Sequence, residues 1–204
     1  TVDAFQGWLK DWITALIEST TSDLEIHGLE HLERARSYLW LSNHRDIAMD
    51  PAFTNYALHQ SGRETVRIAI GDNLLTTPWA SDLMRLNKSF IVKRSLSGPR
   101  ELLAASKTLA SYIRHSVQQE NAPVWIAQRE GRAKDGRDLT ETALLKMLVL
   151  NKAKEQGFGE AFARLPIVPV AVSYEWDPCD AAKARELYSL QATGVYEKGP
   201  HEDI

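Results

Sequence analysis

The chain reads as an α/β protein, a mixed sheet flanked by helices, preceded by an amphipathic helix at its N-terminus. Three features lead there. Short apolar runs of four to six residues recur between longer segments with helical periodicity. Strand and helix patterns alternate for most of the length, the arrangement that covers the faces of a sheet with helices. A length of 204 residues with 44% hydrophobic residues suffices for one such domain with one core.

In chain order, Phe5, Trp8, Leu9, Trp12, Ile13, Leu16 and Ile17 fall on one face at helical spacing. Residues 23–27 (DLEIH) alternate like a short strand and end at Gly28. Residues 37–41 (SYLWL) form an apolar strand running into Ser42-Asn43-His44. A helix is predicted over 51–59, a strand over 66–70, a helix over 77–85 with Pro78 at its start, and a strand over 89–92. Leu102, Leu103, Leu109, Ile113 and Val117 mark one face of a long helix over 99–119. Then come a strand over 123–127, a polar loop over 131–136, a helix over 139–154, a strand over 167–172 and a helix over 181–190. No repeat, low-complexity tract or linker breaks the series, so residues 1–22 are the N-terminal helix and 23–204 one domain. The polar tail 194–204 lacks a pattern that would close a core, and a further or disordered terminal segment is expected.

Composition narrows the function. A net charge of −3 gives no broad positive field for nucleic acid. A single cysteine, Cys179, leaves neither a disulfide framework nor a cysteine-cluster metal site. No apolar run approaches the roughly 18 to 20 residues of a spanning helix, and the start shows no secretory signal. Membrane contact is therefore expected on one face only, with the Trp8–Trp12 stripe either in the bilayer interface or packed on the core.

In open α/β sheets chemistry collects in loops beyond the carboxyl ends of strands. Three such loops carry polar clusters, after Leu41, Val92 and Ala127. In the first, His44 is followed by Asp46 and Asp50. An imidazole beside a carboxylate is a general base whose tautomer and orientation the carboxylate fixes. The alternatives are helix capping by these residues, or a metal site formed by the three. His44-Arg45-Asp46 also matches a kinase catalytic-loop triplet, but no DFG triplet follows and position 51 is proline rather than part of that motif. In the second loop Lys93 and Arg94 follow a short strand, a place to hold phosphate. In the third, Arg129, Glu130, Gly131, Arg132 and Lys134 combine cations with a glycine that allows close backbone approach. The prolines of the run 166–174, from Pro166 to Tyr174, suggest an edge strand or a bend, and an apolar wall that could line an acyl channel.

These clusters resemble, in order and spacing over about residues 24 to 175, the PlsC-like glycerolipid acyltransferases, the superfamily of lysophosphatidic acid and glycerol-3-phosphate acyltransferases. Gly28-Leu29-Glu30-His31-Leu32 resembles the family's G-L-E-N-L lead-in, and Ser42-Asn43-His44 with Asp50-Pro51 its N-H-x4-D motif. Phe90 to Arg94 resembles its second motif, Glu130-Gly131-Arg132 its E-G-T-R motif, and Pro166 to Val172 its V-P-V strand. Two departures mark a divergent branch. Met49 stands five residues after His44, where the family has aspartate, and the third motif lacks its threonine.

The resemblance implies a PlsC-like fold and an O-acyltransferase of phospholipid biosynthesis, with His44 and Asp50 catalytic and Asp46 the competing partner. Lys93, Arg94, Glu130, Gly131 and Arg132 would bind the acceptor. The acyl donor would be acyl-CoA or acyl-carrier protein, with no cofactor and no metal. The acceptor would be a phosphorylated glycerolipid, 1-acylglycerol-3-phosphate before glycerol 3-phosphate, met at the cytoplasmic face of a membrane by a peripheral protein. An acyl-thioester hydrolase and a non-catalytic lipid-binding domain are the alternatives.

Overall fold

The computed structural model describes residues 1–72, 78–93, 95–197 and 199, with the backbone alone at 3 and 78–81. Five strands, β1 (Leu39–Ser42), β2 (Arg67–Gly71), β3 (Ser89–Val92), β4 (Val124–Ala127) and β5 (Ile167–Val170), form one sheet in the order β3-β2-β4-β1-β5. All four ladders are parallel. The expected mixed sheet is thus a wholly parallel one in the described residues. The cause lies in the connections: each strand from β1 to β4 is followed by a helical crossover, which returns the chain to the same edge of the sheet. These crossovers are α2 (Met49–Gln60), α3 (Pro78–Leu86), α4 (Pro99–Gln118), and the pair α5 (Thr142–Leu148) and α6 (Phe158–Ala163); α7 (Asp180–Thr193) follows β5.

Both faces are packed, as a parallel sheet requires. Successive strand residues point to opposite faces. Leu39, Val124 and Ile126 therefore join Ile113 and Val117 of α4 and Leu148 of α5 in one core. Trp40, Trp125 and Ile68 join Leu58 of α2 in the other. The i, i+4 pair Ile113 and Val117 places α4 on its face. Helix α1 (Val2–Thr20) lies against α2 and α3. Its stripe divides: Ile13 and Ile17 are buried, whereas Trp8 and Trp12 keep 61% and 49% of their surface exposed.

Two expected elements differ. Residues 23–27 form no strand and join no ladder, and a single 3-10 turn follows at Leu29–His31. The alternation of Leu24 and Ile26 instead walls a cleft of about 610 Å³, whose opposite side is residues 168–176. The helix expected over 139–154 spans only Thr142–Leu148. The chain then turns, and the Asn151 amide donates to the Lys107 carbonyl (2.7 Å) and Ser111 Oγ (2.5 Å) of α4. Helix α6 follows where the sequence reading had none.

Candidate active site

Strand β1 delivers Ser42, Asn43 and His44 beyond its carboxyl end, between β4 and β5. Several bonds hold that exit rigid. The Ser42 carbonyl accepts from Gln128 N (2.7 Å), and Asn43 N donates to the Val170 carbonyl (3.1 Å). The Asn43 side chain extends the β5 contact, donating to the Val172 carbonyl (2.9 Å) and accepting from Val172 N (2.8 Å). It also donates to Asp138 (3.1 Å), and the His44 carbonyl accepts from Ala133 N (2.7 Å). The loop after β4 is thereby fastened over the base of the histidine.

The His44 ring meets Asp50. Its Nδ1 lies 3.3 Å from Asp50 Oδ2, with the side chain 14% exposed against 0% for Asp50. An ionised carboxylate only accepts, so the contact places the proton on Nδ1 and leaves Nε2 with its lone pair. The Trp125 ring stands edge-on to the imidazole, 6.2 Å between centroids. Asp50 sits in the first turn of α2, where the helix dipole favours negative charge. Its Oδ2 accepts from the backbone N–H of Arg45 (2.7 Å) and Asp46 (2.9 Å). Its Oδ1 accepts from the Tyr174 hydroxyl (2.9 Å).

Asp46 has another task. Its Oδ1 accepts from Ala48 N and Met49 N, both at 2.9 Å, and so starts α2. Asp50 is therefore the partner of His44, six residues along, and the turn over 45–48 absorbs the added residue. With Asp46 turned to the helix N–H groups, the three residues do not converge as metal ligands. Among the described residues no group of three potential ligand side chains does.

Arg132 comes close to this pair. Gly131 takes a left-handed conformation (φ 71°) that suits glycine, and the next residue turns its guanidinium inward, 12% exposed, to 3.9 Å from Asp46 Oδ2. Glu130 is exposed beside it. Lys93 is exposed at the end of β3. Two strands separate β3 from β1, about 14 Å at the usual strand spacing, so Lys93 shares the edge but not the contacts of His44. Arg94 lies outside the described residues.

The sequence reading missed the loop after β5. Besides Tyr174, it holds Asp177, which takes the Arg45 guanidinium (Nε at 2.8 Å, Nη2 at 2.5 Å). Lys183 of α7, itself buried, donates to Asp177 and to the Arg45 carbonyl (2.6 Å). Burial opposes the Arg45 charge, but the Asp177 bond and charge outweigh it and raise its pKa. The rule that led to the other loops, polar residues beyond a strand's carboxyl end, would have found this one. The prolines and valines of 166–172 drew the reading to an apolar wall instead.

A buried aspartate fixing a histidine at the carboxyl edge of a parallel sheet is an arrangement that can serve general-base chemistry. The family model described as Acyltransferase matches residues 23–173, and the chain belongs to that family. Its fold is similar to that of the 1-acyl-sn-glycerophosphate (LPA) acyltransferase PlsC from Thermotoga maritima. The TM-score is 0.50 at 14% identity, over 97% of this chain and 81% of that one. Nothing matches among curated proteins.

Proposed function

We propose that the protein moves a fatty acyl group from acyl-CoA or acyl-carrier protein to the hydroxyl of a phosphorylated glycerolipid, 1-acylglycerol-3-phosphate first, in phospholipid synthesis at the cytoplasmic face of a membrane. The observation that carries this is the His44–Asp50 pair in a chain of the Acyltransferase family. Nε2 of His44 takes the proton of the acceptor hydroxyl as its oxygen attacks the thioester carbonyl. Asp50 stabilises the imidazolium that forms. The tetrahedral adduct collapses, the C–S bond breaks, and the imidazolium returns its proton to the departing thiolate. The thioester is already activated, so the step needs no metal, cofactor or acyl-enzyme.

Arg132, with Lys93 and Arg94, is the proposed clamp for the acceptor's phosphate. Arg132 lies 3.9 Å from Asp46 Oδ2, close to the His44–Asp50 pair, and a guanidinium can hold a phosphate through two parallel N–H···O bonds. Arg132→Ala is expected to raise the acceptor KM roughly 10- to 100-fold, the scale of a lost charged hydrogen-bond pair, with a smaller change in kcat. Steady-state kinetics with varied acceptor checks this. A hydrolase sending the acyl group to water would be indifferent to the change. For the acyl chain, an apolar pocket of about 310 Å³ supports the reading; it begins at Ile47, Ala48 and Met49 and runs between α1 and α3.

Membrane contact is proposed through the outer face of α1. Trp8 and Trp12 are four residues apart and both exposed, and tryptophan favours the bilayer interface. Deleting α1 would also strip Ile13 and Ile17 from their packing, so the sharper test is Trp8→Ser with Trp12→Ser. Binding to anionic liposomes in flotation assays is expected to fall about tenfold or more, since two large apolar side chains lose their burial. Unchanged binding would remove α1 as the anchor.

A further inference from the structure

Tyr174 stands one residue beyond the segment that the family model matches, as do Asp177 and Lys183 further on. These residues nevertheless converge on the catalytic pair. We propose that Tyr174 is a positioning residue: its hydroxyl fixes the plane of the Asp50 carboxylate and through it the His44 ring, and the Arg45–Asp177–Lys183 cluster locks the loop that carries it. This rests on His44 being the base of the acyl transfer.

The geometry separates the two oxygens of Asp50. Oδ2 takes His44 Nδ1 and the backbone N–H groups of Arg45 and Asp46. Those three bonds hold one oxygen, and because rotation about Cβ–Cγ moves both oxygens together, an anchor on Oδ1 adds to the hold on Oδ2. Oδ1 is held by Tyr174 at 2.9 Å, and among the described residues that hydroxyl is the side-chain donor given to it. Asp50 is fully buried, so an unpaired Oδ1 would not be satisfied by bulk water. Such rotation would turn Oδ2 off the imidazole plane and spoil the Nδ1–H bond, already 3.3 Å long.

Tyr174 suits the task because it stays a donor. Burial first, then the Asp50 charge, push its pKa far up, so it does not ionise. Its ring rests against Phe53 of α2, the helix that carries Asp50, with centroids 5.8 Å apart. The lock keeps it there. Asp177, three residues on, binds the Arg45 side chain, and buried Lys183 ties Asp177 to the Arg45 carbonyl. Arg45 itself gives Asp50 a backbone N–H, so loops 43–46 and 174–177 move as one body.

Tyr174→Phe keeps the ring and removes one oxygen. The full-length variant is compared with wild type and with His44→Ala by steady-state acyl transfer, thermal melting and NMR of 15N-histidine-labelled protein. His44→Ala identifies the His44 signals. The proposal predicts a kcat lower by roughly tenfold, the scale of one hydrogen bond to a charged group, with both KM values unchanged. It also predicts that the His44 Nδ1–H proton, protected and downfield in wild type, shifts upfield and exchanges faster with water. Wild-type kcat, or a lower melting temperature with an unmoved Nδ1–H signal, would overturn it. Full activity in His44→Ala would instead sink the acyl-transfer reading, and the Nδ1–H signal would still report on Tyr174.

Discussion

His44→Ala is expected to lower acyl transfer at least about a hundredfold and as much as ten-thousandfold, the range over which general-base catalysis contributes. The loss should fall on kcat, because the imidazole acts on the hydroxyl proton in the transition state and contributes little to holding the ground state. Stability should change little. The ring is partly exposed and makes one hydrogen bond, while Asp50 keeps its two backbone N–H donors and the Tyr174 hydroxyl. Its charge therefore remains compensated in the variant. A melting curve within a few degrees of wild type, beside near-zero turnover, is the expected pair of results. Activity within tenfold of wild type would remove His44 from the chemistry.

Position 50 should behave differently, because its carboxylate serves the fold as well as the base. Asp50→Asn retains an oxygen for Arg45 N, Asp46 N and His44 Nδ1–H and can turn its amide N–H to the Tyr174 oxygen. What it removes is the charge that stabilises the imidazolium. The comparable change in serine proteases costs about 10⁴ in kcat; here a loss of roughly 10² to 10⁴ is expected, with the KM of the acceptor nearly unchanged. Asp50→Ala should also destabilise the protein by about 2 to 4 kcal/mol, since the backbone N–H groups of Arg45 and Asp46, in the turn before α2, and the Tyr174 hydroxyl lose their acceptor in a buried place. Denaturant unfolding of the two variants separates the roles. Equal stability loss in both would mean that the charge, not the hydrogen bonding, holds the loop. Equal activity in Asp50→Asn and wild type would mean that the ring needs no ionised partner.

Much of this arrangement is legible in the sequence, for reasons that also mark where it fades. Short apolar runs such as LWL at 39–41 and VWI at 124–126 announce buried strands. Helical patterns between strand runs announce crossovers, and the parallel sheet follows from the crossovers rather than from the strands themselves. Residues 23–27 show the limit, since alternation identifies a strand only when a neighbour takes up its hydrogen bonds. The histidine leaving β1 was visible too. Its partner was legible only through the resemblance, which implied Asp50; the residues alone left Asp46 in contention, because the choice depends on which of the two reaches the N–H groups of Ala48 and Met49, a matter of one turn's geometry. Tyr174 is further out of reach. It meets Asp50 only because β5 lies beside β1, the two partners standing 124 positions apart in the chain, and strand order across a sheet is not written in local pattern. Helix α6 escaped because six residues, with Gly157 before them and Gly159 among them, are too short to show a period.

Purified protein with a radiolabelled long-chain acyl-CoA would be offered 1-acylglycerol-3-phosphate, glycerol 3-phosphate, another lysophospholipid or water alone, beside His44→Ala and with acyl-carrier protein as a second donor. The account predicts a labelled phosphatidic acid made from 1-acylglycerol-3-phosphate by wild type and not by the variant. Labelled free fatty acid at the same rate with every acceptor would contradict it and make the protein a thioester hydrolase.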